Sequence, residues 1–247
     1  MKTVVSETSK VVILTGASSG IGEATARHLS SKGHHLFIGA RRMEKLTALA
    51  TELRAMGGNV DAMAIDVTQP EDLQRIAARA LEKHGRIDAL INNAGVMPLS
   101  PLAALKVEEW NRMLDVNVRG VLHGIAAVLP IMQEQGYGHI INIASTGAYT
   151  VSPTAAVYCA SKFAVRAISD GLRQETDAIR VTLVSPGVVE SELADHITDE
   201  TARAAMREFR RIALPPEPVA QAIAYAIEQP ADVDISELIV RPVASLH

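Results

Sequence analysis

Cysteine is nearly absent: Cys159 is the only one in 247 residues. A single thiol excludes an internal disulfide and fits a reducing compartment such as the cytoplasm. An excess of charge of one sign is missing too. The formal net charge is -4 and the isoelectric point about 6.1, so nothing points to nucleic acid or to an anionic membrane as partner. The opening Met-Lys-Thr-Val-Val-Ser-Glu lacks the apolar run of a signal peptide. No apolar stretch reads as long enough to span a bilayer. The eight histidines are scattered, with no pair at ligand spacing beside cysteines or carboxylates, which argues against a bound catalytic metal. Repeats, linkers and low-complexity segments are also wanting, and the chain reads as one domain over residues 1–247.

What is there is apolar and orderly. Hydrophobic residues make up 48% of the chain, enough for a sizeable core. Short β-rich runs alternate with helical periods: Val11–Leu14, Leu36–Ala40, Val60–Ile65, Ile87–Ile91, His139–Ala144, Val181–Val184 and Leu238–Val240. Continuous apolar strands between helices predict a parallel sheet covered on both faces. A (β/α)₈ barrel is the competing arrangement. The expected fold is a Rossmann-like, doubly wound α/β sheet of about seven strands. Ligands bind at the carboxyl ends of the strands in that fold, where Thr15, Asn92, Ser145 and Pro186 fall.

After the first strand comes Thr15-Gly16-Ala17-Ser18-Ser19-Gly20-Ile21-Gly22, then a helical run. A strand, a glycine-rich turn and a helix N-terminus together make an anion site, because the backbone approaches closely and free N–H groups face the charge. The second strand ends at Ala40, followed by Arg41 and Arg42, whose planar forks suit a phosphate. Tyr158 and Lys162 lie four residues apart, on one face of a predicted helix. A phenol has a reference pKa of about 10, and a neighbouring ammonium is expected to lower it. Ser145 begins the loop thirteen residues before Tyr158 and supplies a hydroxyl beside the phenol. Cys159, next to Tyr158, is expected to be a small packed residue.

The set Thr-Gly-x-x-x-Gly-Ile-Gly, Asn92-Asn93-Ala94-Gly95, Ser145 and Tyr158-x-x-x-Lys162 resembles the compact branch of the short-chain dehydrogenase/reductase family, over roughly residues 10 to 190. The resemblance implies hydride transfer between a nicotinamide cofactor and a secondary alcohol or ketone/aldehyde. Tyr158 would be the general acid/base, Ser145 would polarise the carbonyl oxygen, and Lys162 would tune Tyr158 and hold the cofactor ribose. Asn117 would support a water in the proton relay. Cofactor contacts would come from Gly16, Ser18, Ser19, Gly20, Ile21 and Gly22 of the turn, from Asp66 and Val67 at the adenine, and from Asn93, Ala94 and Gly95. Pro186, Gly187 and Val189 would pass under the nicotinamide, with Ser191 standing where the family pattern has Thr. Relatives that prefer NAD carry an acidic residue at the end of the second strand. Ala40 followed by Arg41 and Arg42 therefore predicts NADP(H).

Met97, Tyr149, Val188 and Leu193 are expected to line the substrate pocket. Residues 190–216 are polar and helix-prone and end in Pro215-Pro216, a composition that fits a lid. The resemblance also implies a homotetramer, or else a dimer, through the long helices predicted over 106–135 and 154–177 and through the C-terminal edge. A weaker similarity, to a bacterial subgroup with serine/3-hydroxy-acid and clavulanate dehydrogenases, suggests small polar substrates. Two other functions stay open: a cofactor-binding regulator with little turnover, and a related epimerase or dehydratase.

Overall fold

The computed structural model describes residues 9–245; the opening residues on which the leader reading rests lie outside them. Seven strands form one sheet: β1 (Val11–Thr15), β2 (His35–Ala40), β3 (Asn59–Ala64), β4 (Ala89–Asn92), β5 (Gly138–Ile143), β6 (Ile179–Pro186) and β7 (Glu237–Val240). Their order is β3-β2-β1-β4-β5-β6-β7, with every pairing parallel. β3 and β7 are free edges, so the sheet is open and the barrel alternative falls. The order reverses between β1 and β4, which opens a crevice at the carboxyl ends of those strands.

Among the described residues the α-helices are α1 (Gly20–Ser31), α2 (Met43–Ala55), α3 (Pro70–His84), α4 (Val107–Leu114), α5 (Gly120–Gln135), α6 (Ala156–Gln174), α7 (Glu200–Phe209) and α8 (Glu217–Ile227). Side chains of a strand alternate between faces, and β1 divides accordingly. Val11 and Ile13 enter the core shared with α3, α5 and α6. Val12 and Leu14 enter the one shared with α1, α2 and α8. A strand covered on both sides has no polar face, which is why the strands read as unbroken apolar runs.

Three buried polar groups cross this apolar interior. Asn92 on β4 donates to the Asn142 amide oxygen on β5 at 2.9 Å, and Asn142 donates to the Ser169 hydroxyl on α6 at 2.9 Å. Each polar group meets a partner, as burial demands.

The helix predicted over 106–135 is one run, Val107–Gln135. A π turn at Asp115–Arg119 lies within it, between α4 and α5. Taken together, Val107–Gln135 does reach the length and hydropathy of a membrane helix, so the expectation that no stretch is long enough was too strict. In this fold the segment is a layer helix, with α5 packed on α3, β4 and β5.

Candidate active site

The glycine-rich turn bends back at the crevice. Gly16 holds φ +69°, a left-handed backbone that favours glycine. A Cβ on Gly22 would lie 2.3 Å from the Gly16 carbonyl oxygen, so the first turn of α1 closes tightly on the loop. The next strand end is tied to it: Asn93 donates to the Thr15 and Gly16 carbonyls at 2.9 and 3.1 Å, and the Thr15 hydroxyl accepts from the N–H groups of Asn93 and Ala94. These bonds hold the ends of β1 and β4 together beneath the crevice.

A cavity of about 850 Å³ runs from this turn across the carboxyl ends of β1, β4, β5 and β6. Gly16, Ser18, Ser19, Gly20, Ile21, Gly22, Arg41, Arg42, Asp66 and Val67 line one end. Asn93, Ala94, Gly95, Pro186, Gly187, Val189 and Ser191 line the middle, and Ser145, Tyr158, Lys162, Met97, Val188 and Leu193 the other end. The sequence-predicted residues thus converge, with two exceptions. Asn117 is buried behind Val96 and off the cavity wall, and Tyr149 points elsewhere: its hydroxyl bonds Ser185 and Glu237, and Arg166 stacks on its ring. Sequence spacing could not reveal that, because Tyr149 follows a turn at Thr146–Ala148 that rotates the chain.

Ser145 enters that turn in extended backbone, its hydroxyl accepting from Gly147 N–H at 3.1 Å. A Cβ on Gly147 would stand 3.5 Å from both Ser145 Oγ and Tyr158 Cε1, and the Ser145 hydroxyl hydrogen-bonds the Tyr158 phenol. Lys162, one turn along α6, is buried and donates from Nζ to the Ile143 carbonyl at 2.9 Å. Burial pushes the Tyr158 phenol up to about 12, with the Ser145 hydroxyl offsetting part of the rise. Burial pulls the Lys162 ammonium down to about 8. The expectation that Lys162 lowers the phenol is not met in this geometry, since desolvation penalises both charged forms and dominates.

Asn117 sits inside the π turn, its side chain fully engaged. Oδ1 accepts from Val96 N–H at 2.8 Å, while Nδ2 donates to the Val96 carbonyl at 2.9 Å and to Ser161 Oγ at 3.1 Å. An asparagine in an apolar helix therefore welds that helix to the β4 loop and to α6. A π turn also shifts its backbone out of the regular helical ladder.

Residues 190–216 arch over the cavity. Their ends are pinned where Glu190 N–H meets the Leu214 carbonyl at 2.8 Å and Leu214 N–H meets that of Val188 at 3.0 Å. The turn Glu192–His196, helix α7 and the turn Arg210–Ile212 fill the arch. Two polar clasps hold its flanks. Glu192 pairs with Arg42 and Lys45 on one side, and Thr198 bonds Lys106 and Glu109 on the other. Its inner face adds wall residues that sequence reasoning missed: Ala202, Met206 and Phe209, the first two packed with Leu99. Their only signal was the apolar stripe of a strongly amphipathic helix.

At the other end Arg42 donates to the hydroxyls of Ser18 and Ser19 at 2.9 and 2.8 Å. The Arg41 guanidinium makes no hydrogen bond or ion pair among the described residues. Ser191 accepts from Leu193 N–H at 3.3 Å; a Cβ on Gly20 would sit 3.2 Å from its own Cβ. Asp66 faces the cavity and also accepts from Thr68 N–H at 3.0 Å. Cys159 is buried against Leu99, Ala155 and Ala202.

The comparisons agree with this architecture. The family model for short chain dehydrogenase matches residues 10–202. An oxidoreductase of Staphylococcus saprophyticus is 47% identical over 237 residues, 94% of this chain and 96% of that protein. One of Listeria innocua is 44% identical over 239 residues, 95% and 96% of the two chains. Among solved structures, the closed form of serine dehydrogenase complexed with NADP+ superposes with a TM-score of 0.88 at 33% identity, covering 96% of each chain. The alcohol dehydrogenase of Thermococcus sibiricus, complexed with 5-hydroxy-NADP, gives 0.86 at 30%, over 96% of this chain and 97% of that one. A short-chain dehydrogenase/reductase of Burkholderia phymatum in complex with NAD gives 0.84 at 30%, over 96% and 90%. A family model spanning most of the chain, and relatives alike over nearly their whole length, make this protein a member of the short-chain dehydrogenase/reductase family of oxidoreductases.

Proposed function

We propose that this protein is an NADP(H)-dependent oxidoreductase that interconverts a secondary alcohol and a ketone or aldehyde within one cofactor-binding catalytic domain. The observation that carries the reading is one cavity with the Gly16–Gly22 turn and Arg41 at one end, and Tyr158, Ser145 and Lys162 at the other. The glycine-rich turn and the N-terminus of α1 fit a pyrophosphate, and Arg41 suits a 2′-phosphate. The bound nicotinamide cofactor supplies the hydride.

In the reducing direction Tyr158 donates its proton to the carbonyl oxygen. Burial suits this step, because it keeps the phenol protonated until substrate arrives. Ser145 donates a second hydrogen bond to the same oxygen and places it. Lys162 holds the cofactor ribose, and its positive charge stabilises the phenolate left behind. Asn117 keeps the β4 loop and α6 in register behind the site and supports the path by which Tyr158 is reprotonated.

Substrate chemistry follows from the walls. Met97, Leu99, Ala202 and Met206 pack beside Tyr158, and Phe209 closes the same end. They support a carbonyl carrying an apolar alkyl or aryl group over the small polar substrates expected from the subgroup similarity. Exposed Leu114, Leu122 and Phe163 on α4, α5 and α6, and Ile239 and Val243 at the C-terminal edge, support assembly into a homotetramer.

The test is NADPH oxidation with a panel of aryl ketones, alkyl aldehydes and 3-oxo acids, with light scattering on the same samples. Turnover of an apolar carbonyl supports the reading. NADPH binding without oxidation of any panel member refutes it in favour of a regulator, and a monomer at micromolar concentration refutes the assembly.

A further inference from the structure

Glu192 opens the turn at the front of the arch, 150 positions from Arg42 in the sequence. Its two carboxylate oxygens are divided between two cations. One takes Arg42 Nη1 and the other takes Lys45 Nζ, from the first turn of α2. The rest of the Arg42 fork is held by the serines of the glycine-rich turn. Three cations therefore gather beyond β2, and one carboxylate from across the cavity occupies two of them.

Folding does not need that carboxylate. The Glu192 side chain is 39% exposed, and exposed ion pairs add little to stability. Its effect falls on whatever anion enters beside Arg41. The two cations hold Glu192 charged, its carboxyl drawn down to about 2, so the pairing persists at every working pH. A phosphate monoester carries about -1.5 to -2 charges at neutral pH and outbids one carboxylate for the same donors.

We infer that Glu192 determines cofactor selectivity as an internal stand-in for the 2′-phosphate, competing with it for Arg42 and for Lys45, a third phosphate-binding cation. This rests on the NADP(H) reading above. Each 2′-phosphate that binds must displace Glu192, so selectivity is lower than three free cations would give. A cofactor without that phosphate leaves the pairing intact. Displacement also releases the front clasp of the arch, which couples the 2′-phosphate to the cover over Tyr158.

The experiment uses calorimetry with adenosine 2′,5′-bisphosphate and 5′-AMP, which report the adenosine end alone. Wild type, Glu192→Gln, Lys45→Gln and the double variant are titrated at low and high salt. Glu192→Gln is expected to bind the bisphosphate about three- to thirtyfold tighter and 5′-AMP unchanged. The gain shrinks in the double variant and at high salt. If wild type prefers the bisphosphate but Glu192→Gln binds it equally or more weakly, the inference is overturned and Glu192 merely orients Arg42. If wild type does not distinguish the two ligands, the NADP(H) reading itself falls.

Discussion

The ammonium of Lys162 lies 5.9 Å from the centre of the Tyr158 ring. The cation is braced by the Ile143 carbonyl, so the two side chains have separable tasks. Tyr158→Phe removes the proton donor and is expected to cut turnover by about 10²–10⁴-fold, with the Kd for NADPH nearly unchanged. Lys162→Ala is expected to weaken both. Single-turnover kinetics beside equilibrium cofactor titration check the split; near-normal kcat in Tyr158→Phe would sink the mechanism.

Lys162 also sets a pH dependence of stability. Its folded pKa, about 8, lies below the ordinary 10.5. Between those values the unfolded chain binds a proton that the folded chain has released, so stability rises with pH across that window. Below pH 8 the folded state carries the full cost of the buried charge. Lys162→Met is expected to abolish the rise, roughly 2–3 kcal/mol by the size of the shift. Urea unfolding of the cofactor-free protein from pH 7 to 10.5 measures it; equal slopes in both proteins would refute the assignment.

Ala40 leaves no carboxylate at the end of β2, and Arg41 beside it is unpaired among the described residues. A charge-assisted hydrogen bond contributes about 1.5–3 kcal/mol, roughly ten- to a hundredfold in affinity. NADPH is expected to exceed NADH in kcat/KM by at least that order, less at high salt. Arg41→Ala should act on the KM for NADPH more than on kcat, and Ala40→Asp should favour NADH. Equal use of both cofactors by wild type would make Arg41 a solvated turn residue.

The arch over the cavity hangs from a short stem, Val188 to Glu190 against Leu214, and from two exposed clasps. Between those points one small cluster anchors it, Ile197 and Ala202 against Leu99, Ala155 and Cys159, and most of its other residues are half-buried or exposed, which marks it for local opening. Hydrogen exchange across residues 190–216 is expected to slow when cofactor and substrate bind, while β5 stays protected throughout. Thr198→Val removes the rear clasp and should speed exchange in α7 without altering β5. An unchanged exchange pattern on ligand binding would argue against a lid.

Much of this molecule was legible in the sequence because its signals are local. The strand–glycine turn–helix unit and the Tyr158–Lys162 spacing depend on neighbours a few residues apart. Strand positions agreed to within one or two residues, as apolar runs fix them. What escaped depends on distant partners. The π turn at Asp115–Arg119 is invisible without Val96 and Ser161, the groups that engage Asn117. Nothing near Glu192 announces Arg42 and Lys45. Tyr149 is expected in the pocket, yet Ser185, Glu237 and Arg166 claim it from other elements. The direction of the Tyr158 shift also escaped, since spacing gives the neighbour but not the depth of burial.

The chain of Asn92, Asn142 and Ser169 has a consequence for anyone who would graft parts of this protein into a relative. The Asn142 amide is satisfied by Asn92 on one side and Ser169 on the other, so the three behave as a keyed set of teeth. A chimera that imports β5 without α6 strands Asn142 in hydrocarbon, at about 1–3 kcal/mol for each orphaned group. Exchanging all three for apolar residues of matched volume would restore the fit but erase the key, leaving the His139–Thr182 bond to β6 as the polar check on a slip along β5. The cut points for recombination should therefore fall outside the segment from β4 to the end of α6, which also keeps the Tyr158 helix seated on the strands that aim it.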